Sequence, residues 1–316
     1  MASKRIVSIS LGSSSRNHRV VLKIGNDEFI IERIGTDGDF NKACQLIREL
    51  DGKVDAFGMG GISMYLYGKN NHRYILRSAV PLRKAARLTP MADGSGFKST
   101  VEHKVVRFIK EELGISIEEK TVLLVSGMER LGMAEAFSQA GCKTLYGDLL
   151  FVLGIPYAIK KLSSLHRLAA ILMPVIQWMP LKVLYPSGMS QEENTPRFRK
   201  AFEKADIIAG DFMYIKKYMP LSLKGKIIVT NTVTPKDVEI LRDRGAELLI
   251  TSTPELEGRS YGTNVMEALV CALVNKKPED ILPHEYDQVL KQGILRHRVE
   301  YLQALRNISD NKAPGI

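Results

Sequence analysis

The sequence predicts an α/β protein of two domains, the second built on a doubly wound, mainly parallel sheet. Short apolar, β-branched segments alternate with helical patterns along most of the 316 residues, a length that suits two ordinary domains. Residues 121–148, TVLLVSGMERLGMAEAFSQAGCKTLYGD, have the order strand, tight turn, helix and strand. This order is typical of the mononucleotide-binding unit of a Rossmann-like fold.

The predicted elements divide the chain into three parts. We predict an N-terminal α/β domain over residues 1–115, a Rossmann-like nucleotide-binding domain over 116–275 and a C-terminal helical tail over 276–316. Apolar and β-branched runs predict strands at 5–11, 19–24, 29–34, 54–59, 206–209, 226–230 and 247–251, and another that begins at residue 121. Apolar residues at helical spacing predict helices at 40–50, 100–113, 235–244 and 265–274.

The turn in residues 121–148 indicates the chemistry of the second domain. Gly127 ends the first strand, Gly132 lies at the start of the helix, and Asp148 follows Gly127 by roughly 20 residues, the spacing of a ribose-binding acid. Glu129 stands where the fingerprint has its middle glycine. If Glu129 blocks a pyrophosphate, Glu129→Gly should create or strengthen NAD binding.

Composition narrows the classes of partner. The net charge is +10 and the apolar fraction 45%, but the basic residues are dispersed. This favours a small anionic molecule over nucleic acid. Three isolated cysteines and the lack of His or Cys clusters predict neither a metal site nor disulfides and suit a cytoplasmic location.

An apolar stretch at residues 162–184 is interrupted by Pro174 and Pro180. A spanning helix needs about 20 uninterrupted apolar residues, so we predict no membrane span here. Buried or interdomain packing is favoured over a helix on the membrane surface. A homodimer is left open.

One segment before the second domain resembles a known family. MADGSGF at residues 91–97, followed by a helix and a Rossmann strand, is similar to the motif that ends the substrate domain of shikimate/quinate dehydrogenases. It keeps the Asp, Gly and Phe of the family's Asn-Thr-Asp-x-x-Gly-Phe and lacks the Asn and Thr. The chain is also similar to a bacterial group labelled quinate 5-dehydrogenase-like. The resemblance implies a substrate-type first domain and an NAD(P)-dependent oxidoreductase acting on a cyclic or small hydroxy acid.

The resemblance also implies a set of site residues. Asp93 corresponds to the catalytic aspartate, and Lys84, in VPLRK at 80–84, to the catalytic lysine. A Lys–Asp pair anchors a hydroxyl and gives its proton a route. Ser13, Ser14 and Ser15 are loosely similar to the serines that bind the substrate carboxylate. The segment YGTNVM at 261–266 resembles the family's last segment, where a helix returns to the substrate domain.

NAD or NADP is the cofactor that this resemblance implies. Besides Gly127 and Gly132, we predict contacts from Arg130, Asp148, Asn231 and Thr251. Asp148 favours NAD, because a carboxylate accepts from ribose hydroxyls and repels a phosphate, whereas Arg130 could contact a 2′-phosphate.

The ends of two strands share the pair Gly-Asp, at Asp148 and Asp211. Carboxyl ends of parallel strands face the ligand crevice of an α/β sheet, so we expect both aspartates in one crevice.

Two further functions are kept open. Glu129 and the missing Asn-Thr favour a non-catalytic Rossmann-like protein that binds or senses a small anionic metabolite. Residues 257–268 faintly resemble the donor-sugar end of glycosyltransferases.

Overall fold

A computed structural model describes residues 3–67, 72–184, 193–291 and 296–303, without the side chains of 182 and 183. It has a five-stranded and a six-stranded sheet, both flanked by helices. The strands are β1 (Ser3–Ser10), β2 (His18–Ile24), β3 (Asp27–Gly35), β4 (Ala56–Gly60), β5 (Tyr65–Tyr67), β6 (Arg73–Ile75), β7 (Met91–Ala92), β8 (Thr121–Leu124), β9 (Lys143–Tyr146), β10 (Ile207–Ala209), β11 (Ile227–Thr230), β12 (Leu248–Thr251), β13 (Glu255–Leu256), β14 (Arg259–Ser260) and β15 (Arg298–Tyr301).

The helices follow the predicted alternation with strands. They are α1 (Phe40–Leu50), α2 (Val80–Ala85), α3 (Ser95–Phe97), α4 (Lys104–Glu111), α5 (Leu131–Gln139), α6 (Leu162–Ile176), α7 (Leu181–Leu184), α8 (Arg199–Lys204), α9 (Phe212–Tyr218), α10 (Pro235–Asp243), α11 (Thr263–Val274) and α12 (Pro283–Lys291). Thr234 caps α10, its hydroxyl accepting from the backbone N–H of Asp237. The predicted helix over 100–113 is interrupted, because a wider turn over Lys98–Glu102 precedes α4.

The first sheet has the strand order β2-β3-β1-β4-β7. β2 and β3 form an antiparallel hairpin, while β1 pairs parallel with β3 and β4. Val7 and Phe57 face a core shared with α1 and α2, whereas Ile6 and Ala56 face a second core that includes α11. Apolar residues cover both faces because both are packed against helices.

The second sheet has the order β15-β12-β11-β10-β8-β9. β8 to β12 are parallel, and β15 is an antiparallel edge strand paired with β12. The chain leaves β8 first to one side, to β9, and then to the other, to β10. The strand order therefore reverses between β8 and β10, where open α/β sheets bind their ligands. This confirms the predicted Rossmann-like, doubly wound class.

The C-terminal part of the chain contacts both sheets. α11 packs against β1 and β4 of the first sheet, and Asn264 at its start donates a hydrogen bond to Ser8 Oγ at 2.9 Å. The segment 276–316 contains α12 and also β15. The domain boundaries at residues 115 and 275 stay a prediction.

The apolar stretch at 162–184 forms α6 and α7. Leu165, Ala169 and Met173 of α6 are buried, while Ile171 and Val175 are largely exposed. The stretch is thus half packed into the core. In the described ranges, no helix combines the length and apolarity needed to cross a membrane.

Candidate functional site

A crevice of about 140 Å³ lies between the two sheets, at the carboxyl ends of their parallel strands. From the first sheet it is lined by Ser10 and Gly60, the last residues of β1 and β4. From the second it is lined by Asp211 and Asn231, which follow β10 and β11. It lies at the strand ends where parallel sheets bind small molecules.

Three arginines meet at one end of the crevice, and we call Arg16, Arg33 and Arg259 the arginine cluster. Arg16 ends a short helical turn after β1, Arg33 lies on β3, and Arg259 begins β14. Arg259 Nη1 donates to the backbone oxygen of Arg16 at 2.5 Å. The cluster therefore joins the first sheet to the β13–β14 hairpin of the second half.

The hydrogen-bond partners of Arg33 and Arg259 are uncharged. Arg33 donates to the backbone oxygen of Ser13 and to Ser10 Oγ, both at 3.0 Å. Arg16 forms a buried ion pair with Asp237, with 3.4 Å between Nη2 and Oδ2. Among the residues that the structure describes, no carboxylate forms an ion pair with Arg33 or Arg259. The cluster is thus left with surplus positive charge.

This surplus charge affects the titration of the cluster. Burial and the nearby charges of Arg16 and Arg259 lower the pKa of Arg33 to about 10. Burial and Arg16 likewise lower the pKa of Arg259. An anion placed between these guanidiniums would relieve the mutual repulsion and restore the pKa values.

The other end of the crevice has mixed charges. Lys98 Nζ lies 2.7 Å from Glu129 Oε1 and 2.9 Å from Ser63 Oγ. Although burial acts to raise the pKa of Glu129, the positive charges of Lys98 and Arg130 hold it well below its ordinary value. These three side chains, Ser63, Lys98 and Glu129, also line a second hollow of about 490 Å³ on their far side.

Arg130 lies below this end, fully buried between two carboxylates. Its guanidinium forms ion pairs with Glu102 and, at 3.0 Å, with Asp211 Oδ2. Burial opposes its charge, but the carboxylates of Glu102 and Asp211 raise its pKa above the ordinary value. Arg130 therefore holds Asp211 at the crevice wall, and its predicted contact with a 2′-phosphate would have to displace these partners.

The turn after β8 is occupied by the protein's own carboxylate. Asp148 Oδ2 accepts from the backbone N–H of Gly127 at 3.0 Å, and Oδ1 from that of Met128 at 2.8 Å. Asp148 is 1% exposed, and burial raises its pKa to about 6. These N–H groups are the ones that such a turn usually offers to a phosphate, so Asp148 has a contact other than the predicted ribose.

The predicted glycines of this turn have different surroundings. A Cβ added to Gly127 would lie 3.0 Å from Leu165 Cδ2 of α6 and 3.1 Å from Asp148 Oδ2. Gly132 has more room, since the nearest atom to an added Cβ would be His103 Cβ at 3.5 Å. A side chain at Gly127 would therefore crowd α6 and Asp148. The binding of NAD or NADP stays a prediction, and so does the expectation that Glu129→Gly would create or strengthen NAD binding.

The structure does not bring the predicted catalytic pair together. Lys84 is exposed on α2 and lines a separate surface hollow with Arg48 and Asp51, because Leu82 and Ala85 are the buried residues of this short helix. Asp93 does line the crevice. The lysine that shares the crevice with Asp93 is Lys98.

Asp93 has a structural set of contacts. Its carboxylate accepts from the backbone N–H of Met64 at 2.6 Å and of Tyr65 at 2.8 Å. Ser95 donates to it from both its backbone N–H and its hydroxyl. Asp93 is 4% exposed. It fixes the 93–97 turn beside the crevice, and these four protein donors satisfy its carboxylate.

The predicted substrate serines lie in the turn that precedes Arg16. Ser13 is buried, and its hydroxyl accepts from the backbone N–H of Ser15, capping the turn that ends at Arg16. Ser14 and Ser15 are exposed. None of the three lines the crevice, where the serines of the first sheet are Ser8 and Ser10.

Of the remaining predicted residues, Asn231 lines the crevice, with Nδ2 at 3.5 Å from Asp211 Oδ2. Thr251 is fully buried and donates to the backbone oxygen of Thr253 at 2.5 Å, outside the crevice lining. The expectation that Asp148 and Asp211 share one crevice was half right: Asp211 lines it, whereas Asp148 turns back onto the Gly127 turn.

Sequence reasoning missed the arginine cluster and Lys98. The three arginines are far apart in the sequence and share no motif, so only the fold brings them together. The signal that was available was the dispersed excess of basic residues, which indicated an anionic partner without locating it. No group of His, Cys, Asp and Glu that could hold a metal occurs among the described residues.

Fold and crevice together define a two-domain α/β protein with a ligand-sized crevice between its sheets. The chain belongs to the family described as domain of unknown function DUF8754, which matches residues 96–302. Residues 5–93 match a second domain of unknown function, DUF8753. No curated protein matches the sequence.

Solved structures align with most of the chain but at low similarity. A glucose-galactose binding protein from Geobacillus stearothermophilus has 9% identity and a TM-score of 0.36, covering 96% of this chain and 99% of its own. A galactofuranose binding protein has 10% identity and a TM-score of 0.32, with 94% of each chain covered. Shikimate dehydrogenase from Aquifex aeolicus has 10% identity and a TM-score of 0.32, covering 92% and 98%. At these TM-scores the similarity to solved structures gives no indication of function.

Proposed function

We propose that the protein binds a small anionic metabolite in the crevice, as a non-catalytic binding or sensing protein. The observation that carries the proposal is the arginine cluster, in which Arg33 and Arg259 donate only to uncharged groups within the described ranges. Clustering buried like charges lowers stability unless a counter-charge arrives. A ligand anion is the counter-charge that the crevice can admit.

The rest of the lining suits a polar small molecule. Asn231 and Asn264 offer amides, and Thr232 and Ser8 offer hydroxyls, all at the crevice wall. A few placed polar groups in a concave site are typical of small-molecule recognition. These uncharged groups would orient the ligand, while the arginine cluster supplies most of the attraction.

An NAD(P)-dependent oxidoreductase is the second candidate. It is favoured by Lys98 and Asp93 lining one crevice at strand ends, although Lys98 is not the lysine that the sequence predicts. It requires a dinucleotide to bind at or beside a turn whose N–H groups Asp148 already engages.

Calorimetric titration of the full chain separates the two functions. The panel contains NAD, NADH, NADP and NADPH beside small carboxylates and phosphate esters. We expect a small anion to bind, and Arg33→Gln to weaken that binding. Micromolar binding of one dinucleotide pair that is indifferent to Arg33→Gln would instead favour the oxidoreductase. No binding of any small anion would refute the proposed function.

A further inference from the structure

We infer that the arginine cluster is a phosphoryl-binding site, so that the ligand of the crevice is a phosphorylated small molecule. This inference rests on the proposed function and names the chemical class of its ligand. It is carried by the number of guanidiniums, their shared position and the charges around them.

The charge balance favours a dianion. Arg16, Arg33 and Arg259 bring three positive charges to one end of the crevice. Asp237 pairs with Arg16 at 3.4 Å and with Lys216 Nζ at 3.0 Å, and the charge of Asp37 acts on Arg33. Two carboxylates thus face the three arginines and Lys216, and a net positive charge remains. A carboxylate ligand would bring one negative charge, whereas a phosphate monoester brings about 1.5 to 2 at pH 7.

The number of acceptors also matches. A phosphoryl group has three terminal oxygens, and the cluster has three guanidiniums on three separate elements. Guanidinium forks bind phosphate oxygens with paired, charge-assisted hydrogen bonds. Ser10 Oγ, which accepts from Arg33 at 3.0 Å, has its own proton available to donate to such an oxygen. A planar carboxylate has only two oxygens to share among these donors.

The cluster links the two halves of the molecule. Arg16 and Arg33 belong to the first half, and Arg259 to the hairpin beside β12 of the second. Arg16 Nη1 also contacts Met213 Sδ of α9 at 2.9 Å. A phosphoryl group held by all three guanidiniums would bind to both halves together. The part of the ligand beyond the phosphoryl group would lie toward Asn231 and Lys98.

The test compares glycerol 3-phosphate with glycerate, two probes of similar size that differ in the anionic group. Each is titrated calorimetrically into the full chain at constant ionic strength and pH 7.5, with inorganic phosphate as a third probe. We expect glycerol 3-phosphate to bind at least about tenfold more tightly than glycerate, and inorganic phosphate to compete with it.

Variants assign the binding to the cluster. Arg33→Gln and Arg259→Gln should each weaken glycerol 3-phosphate binding by about tenfold or more, and Arg33→Lys, which keeps the charge but not the fork, by less. Arg19→Gln, an exposed position on β2, is the matched control and should leave binding within about twofold. Circular dichroism verifies that each variant is folded.

The outcomes of the test are distinguishable. Glycerate binding as tightly as glycerol 3-phosphate, with the same loss on Arg33→Gln, would overturn the phosphoryl assignment and leave the small-anion function standing. Phosphate-ester binding that is unchanged in both Gln variants would place the site elsewhere and overturn the inference. Binding of neither probe, nor of any anion in the wider panel, would overturn both the inference and the proposed function.

Discussion

The turn after β8 and the arginine cluster are both buried, polar and charged, yet their charges are balanced in opposite ways. In the turn, Asp148 accepts from two backbone N–H groups, and Arg130 below it lies between Glu102 and Asp211. In the cluster, Arg33 donates to neutral oxygens and faces two other arginines. The region with the sequence motif has its charged groups paired within the chain, whereas the region without one carries unmatched charge.

This difference shows where to look for a ligand. A motif reports which backbone geometry the chain adopts, but an internal side chain can occupy the position that a ligand takes in other proteins of the same fold. Unmatched buried charge is costly unless something outside the chain balances it. The arginine cluster is therefore the stronger indication of binding, and the following substitutions test that contrast.

The largest effect is expected from Arg130→Met. It removes a fully buried guanidinium and leaves the buried carboxylate of Glu102 unpaired, so the free energy of unfolding should fall by about 3–5 kcal/mol. Urea denaturation followed by circular dichroism measures the change. Arg107→Met is the control, because Arg107 forms an exposed pair with Glu111 worth less than about 1 kcal/mol. If Arg130→Met and Arg107→Met lowered the free energy of unfolding equally, the buried pairing of Arg130 with Glu102 and Asp211 would not stabilise the fold.

A smaller loss is expected from Asp148→Ala, which leaves the N–H groups of Gly127 and Met128 without their acceptor. An unsatisfied buried group costs about 1–3 kcal/mol, so we expect a fall of about 2–4 kcal/mol in the free energy of unfolding. Asp148→Asn keeps one acceptor oxygen and should lose less. If the amides are reached by solvent in the native protein, Asp148→Ala will have little effect.

Asp148 also predicts a dependence on pH. Burial raises its folded pKa to about 6, from 3.8 in a model peptide. The folded state then binds the proton more tightly than the unfolded state, so the contribution of this group to stability is present below about pH 4 and lost as pH rises through 6. Asp148→Asn should flatten the wild-type profile between these values. Urea denaturation midpoints from pH 4 to 7 measure the profiles of the wild type and of Asp148→Asn. If the two profiles ran parallel, the raised pKa would not belong to Asp148.

The smallest effect on stability is expected from Arg33→Gln in the absence of ligand. The substitution loses hydrogen bonds to neutral acceptors but relieves repulsion with Arg16 and Arg259. The free energy of unfolding should therefore change by less than about 1 kcal/mol, in contrast to Arg130→Met. A loss as large as that of Arg130→Met, measured by the same urea denaturation, would mean that Arg33 is an internal structural residue.

Local patterns in the sequence were enough to predict the strand–helix alternation, the parallel second sheet, and the position of the turn at Gly127. These follow from local apolar periodicity and turn chemistry, which neighbouring residues fix together. It also placed Asn231 and Asp211 at strand ends, and the family resemblance singled out Asp93; all three line the crevice.

Which charged groups meet depends on how the elements pack together. Lys84 and Asp93 are nine positions apart in the chain but lie in different hollows, because α2 buries Leu82 and exposes Lys84. Arg16 and Arg259 are 243 positions apart, yet they share a hydrogen bond. Contacts between side chains on separate elements depend on how the sheets pack, and no local pattern records that geometry. For this reason the sequence shows only a dispersed excess of basic residues, whereas the fold shows where three arginines come together.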